Sequence, residues 1–290
     1  MTTSILRRPV RRAEYRVRPR RDWAMAVAVA VLLLLALAAA LAPLLAPADP
    51  TASDFSRIYR PTEPGAPLGT DGSGRDILSR LLFGARTSLI APAVIVLVAG
   101  AIGTALGVAS AVMGGALDRV LSRVLDIGFA FPGMLLAIIA VAMFGPGITP
   151  VVIALAIAYV PFIGRVVRGI AIGEMVLPYV DALLGVGQTR WRIAIRHLLP
   201  AVLPTAMAQI TVSYGYAMID LAAMSFLGMG VQPPTADWGL MVSEGQRGVF
   251  QGYWEESVYS GIMIIIAVAA VSLVGDRYAD RVGKVKETRI

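Results

Sequence analysis

Long uncharged stretches alternate with short charged ones along this chain, and that rhythm predicts its elements. Trp23 to Leu45 is 23 residues without a charge. At about 1.5 Å per residue, a helix of that length crosses a hydrocarbon core of about 30 Å. Leu89 to Leu117 is a second uncharged run, with Ala99, Gly103, Gly107 and Ala111 recurring every four residues. Small residues at that spacing let helix backbones approach closely in lipid. Ile127 to Gly164 spans 38 residues, too many for one ordinary crossing, and Gly145-Pro146-Gly147-Ile148-Thr149-Pro150 interrupts it. Two helices and a tight turn are expected there, with Pro132 and Pro161 as kink positions. Ala201 to Leu227 forms a fifth span and Ser257 to Val274, 18 residues, a sixth.

The polar intervals divide the rest. Residues 1–22 are a basic arm and 23–45 the first span. An external segment covers 46–86, where Pro47, Pro50, Pro61, Pro64 and Pro67, with Pro43 just before it, oppose any long helix. A core of five spans covers 87–275, and 276–290 is a charged tail. Gly114 and Gly115 end the second span, and Asp118, Arg119 and Arg123 form a short polar connection; Arg123 and Asp126 are expected to pair locally. Gly72 and Gly74 read as turn glycines, and Arg75, Asp76 and Arg80 as a solvated ion-pair cluster.

Composition sharpens the class. Hydrophobic residues make up 57% and charged residues 16%, against about a quarter charged in soluble domains, so lipid is the solvent for most of the chain. The net charge of +7 does not call for nucleic acid. With both ends on the cytoplasmic side of six spans, 20 of the 26 Lys and Arg fall inside, as the positive-inside rule requires. The basic arm is then a topology anchor in contact with membrane lipid. No cysteine is present and histidine occurs once, which removes disulfides and thiolate sites and argues against a histidine-based metal site. A P-loop needs Gly, four residues and Gly-Lys-Ser or Gly-Lys-Thr. The only lysines are Lys284 and Lys286, and Gly283-Lys284 is followed by Val285. No ATPase site or hydrolytic constellation is recognisable.

Tyr179 to Pro200 is the most informative polar interval. It holds Asp181, Arg190, Arg192, Arg196 and His197 between apolar regions, which makes it a soluble loop. Its pattern is helix, turn, helix: Gly185 and Gly187 break the first helix, Thr189 caps a second running to His197, and Pro200 permits a change of direction. Arg192 and Arg196 share one helical face, Trp191 and Ile195 another.

These residues resemble the signature loop of ABC-importer permeases: Glu-Ala-Ala, three residues, Gly, nine residues, Ile, one residue, Leu-Pro. Asp181, Ala182 and Leu183 stand at the Glu-Ala-Ala positions, Gly187 at the glycine, His197 at the Ile, and Leu199 and Pro200 at the Leu-Pro. The departures are Asp for Glu, Leu for the second Ala and His for Ile. Other blocks resemble the dipeptide and oligopeptide branch, C-type subunit: Leu68-Gly69-Thr70-Asp71, Gly74-Arg75-Asp76, Ser79-Arg80 and Gly84-Ala85-Arg86 before the second span, then Ser225-Phe226-Leu227-Gly228-Met229-Gly230, Gln232-Pro233-Pro234 and Trp238-Gly239 after the fifth. Where that branch has Phe-Pro-Gly this chain has Tyr259-Ser260-Gly261, so the start of the last helix is expected to differ.

The resemblance implies an all-α, polytopic permease in a prokaryotic inner membrane, non-catalytic and binding no cofactor itself. It would pair with a second homologous permease, two ABC ATPase domains that hold ATP and Mg, and an external substrate-binding protein. The coupling loop is placed at 174–200, with Tyr179, Asp181, Ala182, Leu183, Gly187, Gln188, Arg190, His197, Leu199 and Pro200 as its site residues. Peptides are the implied substrate, with nickel chelates or oligosaccharides as alternatives; a passive channel, a secondary transporter or a membrane-embedded enzyme are readings of other classes. Asp220 is the ionisable group inside a span. Such a group is costly in lipid and faces protein or water, so it is a candidate for the translocation path; a partner subunit's cation or the outer interface would satisfy it equally. The branch carries an acid one residue further on, where this chain has Leu221.

Overall fold

The computed structural model describes residues 23–287, and side chains as far as Asp280. The basic arm at 1–22 and the last residues of the tail lie outside the described part. Among the described residues the regular structure is helical. Helices α1 (Trp23–Ala40) and α2 (Ala42–Leu45) form the first span and its end. An extended segment with one 3-10 turn, Phe55–Arg57, the one expected to be external, follows. Its prolines prevent longer helices. Then come α3 (Ile77–Met113), α4 (Gly115–Phe129), α5 (Gly133–Phe144) and α6 (Ile148–Met175). The loop helices α7 (Pro178–Gly185) and α8 (Arg190–Ile193) lead into α9 (Leu199–Phe226), α10 (Trp238–Val249) and α11 (Glu255–Glu287).

Five helices are long and apolar enough to cross a membrane, and α4 with α5, bent by 79° at their junction, make a sixth, broken span. Pro132 sits at that break as the cap of α5, and its ring and missing N–H oppose continuation of α4. The turn at Gly145 and Gly147, with φ of 87° and 158°, separates α5 from α6 as the sequence predicts.

Helices α3 and α6 form the centre of the fold. The small-residue stripe works as expected: a Cβ on Gly103 would lie 2.9 Å from the Val160 carbonyl oxygen, and one on Gly107 2.8 Å from that of Gly164. No side chain fits between backbones that close. Around this seam, Val108, Val112, Val167, Ala171, Ala194, Leu198 and Val202 pack one apolar cluster, and Ile95, Val151, Leu155, Leu221 and Met224 another.

Several expectations need correcting. Helix α3 begins at Ile77, so the outer segment ends near Asp76, whose carboxylate caps the helix by accepting from the Ser79 N–H at 2.7 Å. Asp118, Arg119 and Arg123 lie on a regular amphipathic helix, α4, rather than in a polar connection. Asp126 does not pair with Arg123; its nearest cation is Arg165 of α6, at 3.7 Å. The final helix starts at Glu255 and runs unbroken to Glu287, so the charged tail continues the last span as one helix.

Candidate functional site: the coupling loop and its supports

Loop residues 176–198 join the C-terminal end of α6 to the N-terminal end of α9 and are held on apolar anchors. Val180 of α7, Ile193 of α8, and Ala194 and Leu198 are buried, and the last two join the cluster that contains Val112 and Val167. Gly187 has a φ of 81°, which a side-chain-bearing residue rarely adopts, and the Gln188 N–H donates to the Leu183 carbonyl at 3.1 Å. The Thr189 hydroxyl accepts from the Arg192 N–H at 3.3 Å, capping α8 as the sequence suggests. The Arg190 guanidinium reaches the Val112 carbonyl at the C-terminal end of α3, at 3.4 Å.

Pro200 does not turn the chain. Residues 190–226 form one helix that passes through it. A π-helical stretch, Ala194–Leu198, precedes the proline, and the Leu199 N–H donates to Ala194, five residues back. This wider turn accommodates the proline ring and the hydrogen bond that the proline cannot donate.

With the anchors inward, a set of apolar side chains faces out: Val176, Leu177, Val186, Trp191 and Ile195, with Trp191 and Ile195 on the shared face expected of them. Asp181 and Ala182 are exposed beside them, and Leu183 is half-buried. Tyr179 and His197 meet ring to ring, centroids 6.5 Å apart. Burial, with the Glu174 carboxylate adding, pushes the Tyr179 phenol above its usual range, so it remains a neutral donor. The Gln188 Oε1 is buried without a hydrogen-bond partner. Leu199 is half-buried and Pro200 exposed.

Asp220 lies on α9, half-buried, and accepts a hydrogen bond from the Tyr159 hydroxyl of α6 at 2.9 Å. Its first partner is therefore within the chain.

At the opposite end of α3 the structure reverses a sequence expectation. Arg75, Asp76 and Arg80 are buried, not solvated. Arg80 pairs with Asp71, with Glu244 of α10 and with Glu256 of α11, the last at 2.7 Å, and Arg75 pairs with Asp71 at 2.6 Å and Glu244 at 3.2 Å. Glu244 and Glu256 are 164 and 176 residues from Arg80, so their role is invisible to local pattern. The usable signal was a charge placed inside the first turns of an apolar helix, where something must neutralise it. Gly74 is a turn glycine as read, with a φ of 74° and its Cα against the Asp54 carbonyl; Gly72 has no positive φ.

The other motif blocks converge nearby. Asp237 caps α10 and accepts from the Ser88 hydroxyl at 2.7 Å, while the Trp238 indole N–H donates to the Leu81 carbonyl at 3.0 Å. Burial raises the Asp237 carboxyl above the usual range against the pull of the Ser88 and Leu240 hydrogen bonds. Arg86 donates to the Ala39 and Ala40 carbonyls at 2.6 and 3.0 Å, satisfying the end of α1. Among the described residues no group of three or more His, Cys, Asp or Glu is placed to hold a metal.

An apolar helix bundle, a polar loop anchored on its core and a second polar segment at the opposite end of α3 fixed by buried charges define a polytopic transport subunit. Residues 103–285 match the model of the binding-protein-dependent transport system inner membrane component family, and the chain belongs to that family. It is a multi-pass inner-membrane protein. It is 35% identical, over 82% of its length and 80% of the relative's, to the probable D,D-dipeptide transport system permease protein DdpC of Escherichia coli K12. It is 37% identical, over 78% of its length and 75% of the relative's, to the glutathione transport system permease protein GsiD of Pectobacterium atrosepticum. The dipeptide transport system permease protein DppC of Haemophilus influenzae is 36% identical, with 83% of each chain covered. In fold the chain is similar to one from the inward-facing MetNI methionine ABC transporter, with a TM-score of 0.57 and 21% identity over 70% of this chain and 96% of that one.

Proposed function

We propose that this chain is a non-catalytic permease subunit of an ATP-driven importer of di- or oligopeptides, with both termini cytoplasmic. It forms half of the translocation path beside a second homologous permease, receives substrate from an external binding protein, and is driven by two ATPase domains that hold ATP and Mg. One observation carries the reading: a loop with the importer signature spacing is anchored by buried Val180, Ile193 and Leu198 and presents Val186, Trp191 and Ile195 outward. Exposed apolar groups on an otherwise charged loop fit burial against a partner.

Helical continuity supplies the mechanism. From Trp191 to Asp220 is about 43 Å along one helix, so a displacement imposed on α8 by a closing ATPase pair reaches the middle of α9 without a hinge between them. The Arg190 contact to Val112 carries the same motion to α3.

Introduction of Val186→Cys into this cysteine-free chain is expected to give a crosslink to a P-loop ATPase in native membranes. If the introduced thiol is reactive yet captures no ATPase, with or without nucleotide, the coupling role is sunk. Asp220→Asn is expected to lower peptide uptake at least tenfold while the complex still assembles, because α9 would present a neutral group to the path. Unchanged uptake would remove Asp220 from that path.

A further inference from the structure

A cavity of about 330 Å³ opens between the outer segment and the start of α11. Four of its walls are aromatic. Tyr59 and Tyr253 stack with centroids 4.6 Å apart and planes within 4°, and Trp254 meets Tyr259 edge to face at 5.8 Å and 67°. Arg60 and Glu255 also line it. Among the described residues neither side chain takes part in an ion pair, with each other or with any other group. This contrasts with the adjoining cluster of Asp71, Arg75, Arg80, Glu244 and Glu256, where the charges are engaged with one another. Tyr59 is held at a φ of 51°, unusual for a residue with a side chain, and its N–H donates to the Asp71 carbonyl at 3.3 Å. The backbone that carries this ring is thereby tied to the main chain of Asp71, a member of the ion cluster.

Opposite charges that share a cavity and stay unpaired are complementary to one molecule that carries both. Aromatic faces attract an ammonium group through the negative face of the ring quadrupole. A guanidinium matches a carboxylate in a two-pronged geometry. We propose that this cavity receives a free zwitterion of the amino acid or short peptide type, its ammonium against the rings and Glu255 and its carboxylate on Arg60. A volume of this size lies at the lower end of ligand pockets and holds a dipeptide rather than a long chain. The inference rests on the importer reading only for its place on the outer face, where it would be a first station on the permease itself.

The test uses the full chain in phosphatidylglycerol nanodiscs with 5-fluorotryptophan at its four tryptophans, and fluorine NMR in which Trp254→Phe assigns the Trp254 signal. Dialanine is expected to shift that signal saturably. N-acetyl-dialanine amide, which has neither charge, is expected to leave it in place. Arg60→Gln and Glu255→Gln, both at the rim, should each weaken dialanine binding about tenfold, the worth of one charged hydrogen bond. An equal shift with the uncharged analogue, no shift with dialanine, or a shift with glycerophosphoethanolamine alone would overturn the assignment, the last by showing a lipid headgroup site. Peptide uptake by the whole transporter is measured alongside. Uptake that persists without a dialanine shift sinks the cavity and leaves the importer reading. A shift in a chain that supports no ATP-driven uptake does the reverse.

Discussion

Arg80→Met is expected to destabilise this protein by about 3 to 5 kcal/mol, the cost of leaving buried charges without their partner. The Arg80 side chain is fully buried and touches Asp71, Glu244 and Glu256, which come from the outer segment, α10 and α11. Methionine fills much of the same volume, so the loss reports charge rather than cavity. Removing the half-buried Arg57–Glu63 pair, whose side chains are 36% and 34% accessible, should by contrast cost no more than about 1 kcal/mol. SDS titration in mild detergent, followed by tryptophan fluorescence, compares the two. Adding Glu256→Gln to Arg80→Met should recover part of the loss, since neighbours in one network are not additive. An Arg80→Met variant as stable as the parent would mean that the cluster is solvated after all.

The second large effect is steric. Gly107→Val should cost about 3 kcal/mol, the upper range for overpacking, because its Cβ would meet the Gly164 carbonyl oxygen at 2.8 Å and the Arg168 nitrogen at 2.9 Å. Both are backbone atoms of α6 and cannot swing aside. Gly169 of the same helix is exposed, with nothing within 4 Å of an added Cβ, so Gly169→Ala should be neutral or stabilising by up to about 1 kcal/mol. Equal stability of the two variants would show that α3 and α6 do not pack as described.

How far the sequence discloses this architecture depends on the range of the interaction concerned. The spans were legible because lipid imposes uninterrupted apolar runs, and the seam at Gly103 and Gly107 because its period is local. The helix-turn-helix form of the loop was legible through Gly187 and Thr189, which the structure shows as its turn and its cap. Helix α4 is hidden although Leu117, Val120, Leu121, Val124 and Leu125 recur every three or four residues, because Gly114 and Gly115 have the pattern of a helix end and the charges after them that of a loop. The fate of Arg80 could not be read locally, since its burial depends on acids more than 160 residues away. Pro200 misled for a different reason: a proline stops an α-helix, but a π-turn placed before it lets the helix run on.

That last feature sets the rules for hybrid transporters. A graft that exchanges loops between permeases at the Leu-Pro pair would splice two sequences inside a single rod, out of register by the extra residue that the π-turn absorbs. The natural cut points are Gly187, where the backbone already reverses, and Val176, ahead of α7. A chimaera joined there keeps Thr189 through Phe226 from one parent, so the exposed loop helix that bears Trp191 and the span that bears Asp220 are inherited together.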